Sequence, residues 1–377
     1  MLYLLIAYIS SPIVFILSRL FGRRSGKSVI VFQTAKIGDL ICTTPVFREI
    51  KRAHPDWRLS VAVDPVSEPV IRHNPHIDEI IVIDRKKTSG FTGKLALSAR
   101  LCARYPAALI LLPNTTNILA AYWALIPKRV VVYPDFLGPT LKKLLNFTTH
   151  VEYHLYPKTA TETYLASLRH FDISKCSIDK EVYPSPQAMR RFADFYTGTQ
   201  APFIGIIISA GNAMKDWGRA NFAALTQRIL DTTDAAIVLF GTEKDRPLAV
   251  EIIGASNSNR RIDNLCGQAG LEELPAVIKG LSLMIGVDTG LVYMADALGV
   301  PVIDIAGPCD MRDQRPTGES AQIIQRRDIE CVPCSHTFRA PYECRFGDSH
   351  CVSGITVADV LKRVLNIIPG RDDTRTR

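Results

Sequence analysis

An Asp-Thr-Gly sequence, Asp288 to Gly290, is the stretch of this chain whose residue types most clearly suit binding chemistry. It follows an apolar run, Leu281–Val287, and precedes a helical pattern of apolar residues. This order predicts a strand, a turn and a helix, with the Asp288 carboxylate and the free N–H groups of Thr289 and Gly290 at the carboxyl end of a sheet. Such turns bind anionic ligands in open α/β folds. The alternative role of Asp288 is a helix N-cap.

A second loop with chemical potential runs from Ser209 to Gly218, again between a predicted strand and a predicted helix. Gly211 would let the backbone approach a phosphate closely, and Lys215 would supply a positive charge. We therefore expect Ser209, Gly211 and Lys215 to contact an anionic ligand. The alternative is a solvated lysine on a tight surface turn.

Glu243 lies in a third loop that follows an apolar run. Its carboxylate is suited to accept hydrogen bonds from ribose hydroxyls. The alternative is an acidic residue that interacts with the positive end of a helix dipole.

Asp39 belongs to a Lys-Ile-Gly-Asp sequence that begins at Lys36, where a first buried strand meets a helix. A carboxylate at this edge of a sheet is suited to act as a general base. Gly38 beside it would let a substrate approach. The alternative for Asp39 is a helix N-cap.

Four of the nine cysteines form a C-x2-C-x9-C-x6-C pattern, at Cys331, Cys334, Cys344 and Cys351. The two-residue gap of the first pair suits metal ligation, whereas the second pair is spaced too widely for a standard zinc ribbon. The pattern therefore indicates a possible structural zinc ion. The alternative is reduced cysteines that serve as small packing residues.

Buried strands and helices alternate in both halves of the chain, which predicts an α/β fold with doubly wound parallel sheets. The predicted strands are 28–34, 59–63, 79–83, 108–112 and 129–132 in the first half, and 203–209, 235–240, 264–266, 281–287 and 300–305 in the second. The predicted helices are 40–52, 154–170, 219–230, 245–253, 271–279, 291–298 and 357–368. We expect two similar Rossmann-like domains that face each other across a cleft.

The proline-containing segment 183–202 is the best candidate for a linker. It divides the chain into a first domain at 28–182 and a second domain at 203–355, which contains the cysteine pattern. Residues 1–27 form an apolar segment with a basic flank, and residues 356–377 form a last helix with a polar tail that we expect to be disordered.

The apolar segment Leu2–Ser18 contains no charged residue and is followed by Arg19, Arg23, Arg24 and Lys27. It is slightly shorter than the roughly 20 residues that span a bilayer, so a marginal span, a dip into the membrane and an interfacial helix are all open, as is a buried first helix. The basic flank predicts that the body of the protein lies on the cytoplasmic side.

The net charge of +8 indicates an anionic partner. No nucleic-acid motif and no Lys/Arg-rich block is evident, so a membrane surface or a phosphorylated substrate is favoured over nucleic acid.

An ordered set of motifs resembles the glycosyltransferase family 9 heptosyltransferases of bacterial lipopolysaccharide synthesis, over about residues 28 to 365. The motifs are Lys-Ile-Gly-Asp at 36–39 with Thr43-Thr44-Pro45, the Gly211 to Trp217 loop, Cys266-Gly267 with Leu271 to Leu274, and Asp288-Thr289-Gly290 with Ala297 to Pro301 and Gly307-Pro308.

The resemblance implies a GT-B fold and an inverting, metal-independent transfer of a heptose from ADP-heptose to a lipid-linked core sugar at the inner membrane. It implies that Asp39 is the base, with Lys36, Gly38 and Thr43 on the acceptor side. It also implies that Lys215 and the amides at Thr289 and Gly290 hold the departing diphosphate, and that Glu243 contacts the ribose.

The chain departs from the family pattern at two places. Tyr293, which we group with the donor-binding residues, stands where members often carry His, and Cys309-Asp310 stands where Thr-Asp is commoner. A transferase with another nucleotide sugar or glycan acceptor is therefore one rival interpretation. A non-catalytic module that binds a nucleotide sugar or an anionic lipid on the same fold is the other.

Overall fold

The computed structural model describes residues 2–21, 26–134, 136–197, 200–257 and 259–371. The chain forms two compact units, Met1–Lys180 and Glu181–Arg377. Each unit contains a six-stranded sheet. Arg23 and Arg24 of the predicted basic flank, and the predicted disordered tail from residue 372 onward, lie outside the described residues.

The first unit alternates strands with helices along the chain. Its strands are β1 (Ser28–Gln33), β2 (Arg58–Val63), β3 (Glu79–Val82), β4 (Ala107–Ile110), β5 (Lys128–Pro134) and β6 (His150–His154). Its helices are α1 (Leu2–Phe21), α2 (Ile37–Ile41), α3 (Thr44–Ala53), α4 (Glu68–Ile71), α5 (Arg85–Thr88), α6 (Phe91–Leu101), α7 (Thr115–Trp123), α8 (Pro139–Leu144) and α9 (Ala160–Ala166).

The second unit repeats this alternation. Its strands are β7 (Phe203–Ile207), β8 (Ala236–Phe240), β9 (Ile262–Asn264), β10 (Leu283–Val287), β11 (Val302–Ile305) and β12 (Ala321–Ile324). Its helices are α10 (Pro186–Arg191), α11 (Arg219–Thr232), α12 (Arg246–Gly254), α13 (Leu274–Ile278), α14 (Gly290–Ala297), α15 (His350–Ser353) and α16 (Val357–Ile367).

Both sheets share one strand order. The first runs β3-β2-β1-β4-β5-β6, and the second, read from its other edge, runs β9-β8-β7-β10-β11-β12. All strand pairs in both sheets are parallel. This is the Rossmann order, in which the chain reverses direction across the sheet beside the first strand, and ligands bind at that switch point. The predicted pair of doubly wound parallel sheets is thus confirmed.

The central strands are buried because helices cover both faces of each sheet. β7 and β10 are buried along their whole length. On one face of the second sheet, Ile303 and Ile305 pack into a core with Phe222 and Leu225 of α11 and Val360 of α16. Asp304, between those two isoleucines, consequently points to the opposite face.

The apolar N-terminal segment forms a single helix, α1. Among the described residues, no helix combines the length and the apolarity that crossing a membrane requires.

The structure differs from the predicted elements in several places. The strand expected at 264–266 lies at Ile262–Asn264, and the helix expected at 271–279 is limited to Leu274–Ile278. The edge strands β6 and β12 were not predicted, because β6 carries polar residues and β12 is only half buried, so neither contains an apolar run. The single helix expected at 40–52 is two helices, separated at Cys42-Thr43 just before Pro45 opens α3. The helix expected at 154–170 begins only at Ala160 and ends in a 3₁₀ helix, Ser167–Phe171.

Candidate functional site

The candidate site of the second unit lies where the loops after β7 and β10 emerge side by side. These two strands are direct neighbours, with Ile204 opposite Leu283 and Ile206 opposite Ile285. β8 lies on the other side of β7, so the loops that follow β7 and β10 flank the switch point of the sheet. The predicted Ser209–Gly218 loop and the predicted Asp-Thr-Gly turn are therefore brought together.

The ammonium group of Lys215 joins these two loops. Lys215 ends a single 3₁₀ turn, Ala213–Lys215, which the side chain of Asn212 caps by accepting from the Met214 N–H at 3.1 Å. The Lys215 Nζ donates to the carboxylate of Asp288 and, at 3.1 Å, to the Asp288 carbonyl oxygen. The two side chains are 19% and 9% exposed, so the ion pair is largely shielded from water.

Asp288 is held as a carboxylate by its neighbours. Burial alone would raise its pKa, but the positive charge of Lys215 and hydrogen bonds from Cys309, Lys215 and Tyr293 hold that pKa below its usual range. The Tyr293 hydroxyl donates to Asp288 Oδ1 at 2.6 Å. Burial likewise opposes the charge on Lys215, yet the adjacent Asp288 carboxylate raises the pKa of that ammonium above normal. Both partners are therefore charged at neutral pH.

Asp288 does not fill the N-cap role that was its alternative. The N-cap of α14 is Thr289, and its side chain makes no capping hydrogen bond. The Thr289 Oγ1 is buried without a hydrogen-bond partner in the described part of the chain. Asp288 instead serves Lys215 and Tyr293, and the first-turn N–H groups of α14 have no acceptor within the helix.

Asp304 is a second buried carboxyl group close to this ion pair. It is fully buried on β11, and neither carboxylate oxygen has a hydrogen-bond partner among the described residues. Burial and the negative charge of Asp288 raise the pKa of Asp304 well above its usual value, which favours the protonated form of this carboxyl group. Burial also raises the pKa of the Cys309 thiol, which contacts both Lys215 and Asp288.

Sequence reasoning missed Asp304, Cys309 and Asn212 as parts of the site. A signal for Asp304 was present, because a carboxylate interrupts the apolar run that forms β11. Cys309 was noted only as a departure from the family pattern, and Asn212 carries no signal, since its importance comes from the partners that the fold gives it.

Glu243 is exposed on a single 3₁₀ turn, Glu243–Asp245, after β8. Its position is fixed by the next loop, where Gly267 has a φ of +72°. A Cβ added to Gly267 would lie 2.8 Å from the Glu243 Cα, so the two loops pack too closely for any side chain at 267. Gly211, by contrast, is exposed, and a Cβ added there would meet no protein atom within 4 Å.

The corresponding switch point of the first unit lies between β1 and β4, and it holds Asp39. Asp39 is the third residue of α2, whose N-cap is Lys36, so Asp39 is not an N-cap. The Asp39 carbonyl accepts from the Thr43 hydroxyl at 2.9 Å, and that hydroxyl accepts from Gln33 Nε2 at 2.8 Å.

The three predicted acceptor-side residues differ in exposure. Thr43 is fully buried and braces the turn, whereas Lys36 is exposed and Gly38 is partly exposed. The Asp39 carboxylate is itself partly exposed. The binding and catalytic roles of the named residues in both units stay predictions.

The four clustered cysteines lie near one another in the second unit. Burial, followed by the charges of Cys334, Cys331 and Cys344, raises the pKa of the Cys351 thiol to about 11. Backbone N–H groups of Phe346 and Ser349 lower the pKa of Cys344. In the ranges that the structure describes, however, no three His, Cys, Asp or Glu side chains come together as a group that could hold a metal ion.

The fold and the second-unit site together define a two-domain α/β protein with a shielded Lys215–Asp288 ion pair at a sheet switch point. Residues 141–342 match the model of glycosyltransferase family 9 (heptosyltransferase). The chain belongs to this family and is a glycosyltransferase, so the family resemblance seen in the motifs is confirmed.

Known relatives agree with this assignment. Lipopolysaccharide heptosyltransferase 2 of Salmonella typhimurium is 24% identical over 311 residues, which cover 79% of this chain and 87% of that protein. Lipopolysaccharide heptosyltransferase 3 of Escherichia coli is 25% identical over 340 residues, covering 88% and 96%. The structure of E. coli ADP-heptose lps heptosyltransferase II superposes with a TM-score of 0.69 at 19% identity, covering 90% and 98% of the two chains. The fold is therefore GT-B.

Proposed function

We propose that this protein transfers a heptose, with inversion, from ADP-heptose to a lipopolysaccharide core or similar lipid-linked glycan. The observation that carries the proposal is the buried Lys215 and Asp288 pair beside the N-terminus of α14, at the switch point of a family 9 chain. A lysine together with a helix N-terminus stabilises diphosphate charge without a metal ion. Two relatives are named lipopolysaccharide heptosyltransferases, which supports the proposed acceptor. The name of the E. coli structure contains ADP-heptose, which supports the proposed donor.

The proposed reaction is a single displacement. The acceptor hydroxyl oxygen attacks the anomeric carbon while the bond from that carbon to the diphosphate oxygen breaks. The hydroxyl proton passes to the Asp39 carboxylate, and the nucleoside diphosphate leaves with the bonding electrons. Because the attack comes from the face opposite the leaving group, the anomeric configuration inverts.

Lys215 would stabilise the departing diphosphate. Its three N–H groups contact the Asp288 carboxylate, the Asp288 carbonyl and the Cys309 thiol. A thiol is the weakest acceptor of the three, so we propose that the diphosphate replaces Cys309 while Asp288 keeps the ammonium in place. Thr289 and Gly290 would add their N–H groups, with Ser209 and Gly211 lining the phosphates, Tyr293 orienting Asp288 and Glu243 accepting from the ribose.

The predicted first domain, residues 28–182, would serve the acceptor, and the predicted second domain, residues 203–355, would serve the donor. Lys36 and Gly38 are accessible enough to contact the acceptor, and Thr43 would support Asp39 from the interior. We further propose that the protein acts at the cytoplasmic side of the inner membrane, because the lipid-linked acceptor is embedded there and the net charge of +8 suits an anionic surface.

A donor screen tests the function. The full chain is mixed with ADP-heptose, other nucleotide sugars and ADP, and the melting temperature and transfer to a membrane lipid fraction are measured. We expect ADP-heptose to raise the melting temperature and to be turned over. If only another nucleotide sugar is turned over, ADP-heptose is not the donor. Binding without any turnover would support a non-catalytic module.

We propose no metal in the transfer step, and a structural zinc ion on Cys331, Cys334, Cys344 and Cys351. Backbone N–H groups of Phe346 and Ser349 lower the pKa of the Cys344 thiol, which favours the thiolate form that zinc binds. Because the described thiols do not form a closed ligand set, zinc would have to draw them together. Elemental analysis of protein purified without added metal tests this proposal, and about one zinc ion per chain is expected. Cys344→Ser should abolish zinc binding without abolishing ADP binding.

A further inference from the structure

Helix α1 is attached to the first unit by one of its sides. Ala7 and Val14 are buried in the core that contains Ile118 of α7 and Phe147. The indole N–H of Trp123 donates to Ser10 Oγ at 3.3 Å. The side of α1 that faces the first unit thus combines apolar packing with a polar contact.

The opposite side of α1 is a stripe of large aliphatic side chains. The stripe consists of Leu5, Ile9, Ile13, Ile16 and Leu20, which are 57%, 69%, 62%, 56% and 69% exposed. Their spacing of three or four residues places all five on one face of the helix. A contiguous exposed stripe of this kind marks a surface that another apolar phase covers.

Exposed cations lie beside the docked helix. The Tyr8 hydroxyl donates to the Lys143 carbonyl at 3.5 Å, which places α8 with its exposed Lys142 and Lys143 next to the middle of α1. The Tyr3 hydroxyl donates to the Ser89 carbonyl at 3.3 Å, just after α5. That short helix carries the exposed residues Arg85, Lys86 and Lys87. An apolar stripe with flanking cations is complementary to a bilayer with anionic headgroups.

We propose that the stripe of α1 binds in the surface of an anionic bilayer, with the helix parallel to the membrane plane and its other side still attached to the first unit. This inference rests on the proposed membrane location and specifies its mode. The hydrogen bonds of Tyr3, Tyr8 and Ser10 argue against a spanning orientation, because a spanning α1 would have to leave all three partners. α1 then holds the first unit against the membrane that contains the acceptor.

Vesicle sedimentation of the full chain tests the surface, with phosphatidylcholine vesicles that contain or lack about a third of phosphatidylglycerol. The double variant Ile9→Asp/Ile16→Asp should bind anionic vesicles at least about tenfold more weakly than wild type. Val250→Asp is the matched control, since Val250 is 59% exposed on α12 of the other unit and should bind as wild type does. Lys142→Gln/Lys143→Gln should weaken binding to anionic vesicles only.

Further measurements separate the alternatives. An alkaline carbonate wash should release the wild-type protein, whereas retention after the wash would overturn the parallel orientation. A double variant with unchanged vesicle binding but a lost dimer in analytical ultracentrifugation would assign the stripe to a second copy of the chain. Vesicle binding needs no donor, so failure of heptose transfer leaves this test intact. Turnover of a delipidated acceptor should be the same for the double variant and wild type.

Discussion

Lys215 and Asp288 are 73 residues apart in the chain, yet the Lys215 ammonium donates to both the carboxylate and the carbonyl oxygen of Asp288. The pair links the loop after β7 to the turn after β10 and fixes a positive charge beside the N-terminus of α14. Removal of one partner of a buried pair leaves the other uncompensated, so both residues are informative targets.

Lys215→Ala should weaken binding of the nucleoside diphosphate and slow transfer. A charge-assisted contact to diphosphate in a shielded site contributes about 2 to 4 kcal/mol, or roughly 30-fold to 1,000-fold in affinity. Isothermal titration with ADP measures the loss, and thermal unfolding reports whether the second unit remains folded. Lys244→Ala, at an exposed lysine of the next loop, is the control. Unchanged affinity and turnover in Lys215→Ala would reject the role.

Asp39→Asn should reduce turnover by roughly 10² to 10⁴ and leave stability and ADP affinity unchanged. The amide keeps the size of the side chain but cannot take the acceptor proton. Because Lys36 rather than Asp39 occupies the N-cap position of α2, no loss of a helix cap complicates the comparison. Initial rates with saturating donor and acceptor give the result. A variant that transfers sugar at the wild-type rate would remove Asp39 from the mechanism.

The pH dependence of the free energy of unfolding should distinguish the contribution of Asp304 from that of the Lys215–Asp288 ion pair. The lowered pKa of Asp288 adds stability that is present above about pH 4 and is lost as pH falls through its folded pKa. The raised pKa of Lys215 adds stability that is present below about pH 10 and is lost as pH rises through its folded pKa. The contribution of the pair is therefore constant from pH 5 to 7.

Asp304 has the opposite effect in that window. Its raised pKa means that the folded protein keeps a proton that the unfolded chain releases above about pH 4, so stability falls as pH rises. In the wild type, this effect lowers the free energy of unfolding by up to about 1.4 kcal/mol per pH unit, and Asp304→Asn should abolish that decrease. Calorimetric unfolding at pH 5 and pH 7 compares the variant with wild type and with Asp194→Asn, an exposed aspartate of the same unit. An equal slope in all three proteins would show that Asp304 does not titrate as described.

Two glycines give a matched pair of substitutions. Gly267→Ala should destabilise the second unit by about 1 to 3 kcal/mol, because it combines a φ of +72° with a collision against Glu243. Gly211→Ala should leave stability unchanged, since space beside it is open, but should weaken ADP binding if the backbone there approaches phosphate. Denaturant unfolding and ADP titration distinguish them. Wild-type ADP affinity in Gly211→Ala would remove Gly211 from the donor site.

The sequence alone determined the central strands and the turns that carry the candidate residues. Buried parallel strands are continuous apolar runs, so β1, β7 and β10 were evident, and each was followed by the expected polar turn. The edge strands β6 and β12 lack this signal, because β6 carries polar residues and β12 is only half buried, which is why these two strands were missed. The break between α2 and α3 was also hidden, because the apolar spacing continues through it.

The tertiary structure decided which of those turns meet and what each side chain contacts. Asp288 looked like an N-cap because a cap depends on the next three residues, which the sequence displays. Its actual partners are Lys215 from another loop and Tyr293 from the following helix turn. The charge state of Asp304 likewise depends on burial and on the distance to Asp288. The periodicity of apolar residues reflects only neighbours in the sequence. The order of the strands, by contrast, brings together residues that are far apart in the chain and buries them in a medium of low dielectric constant.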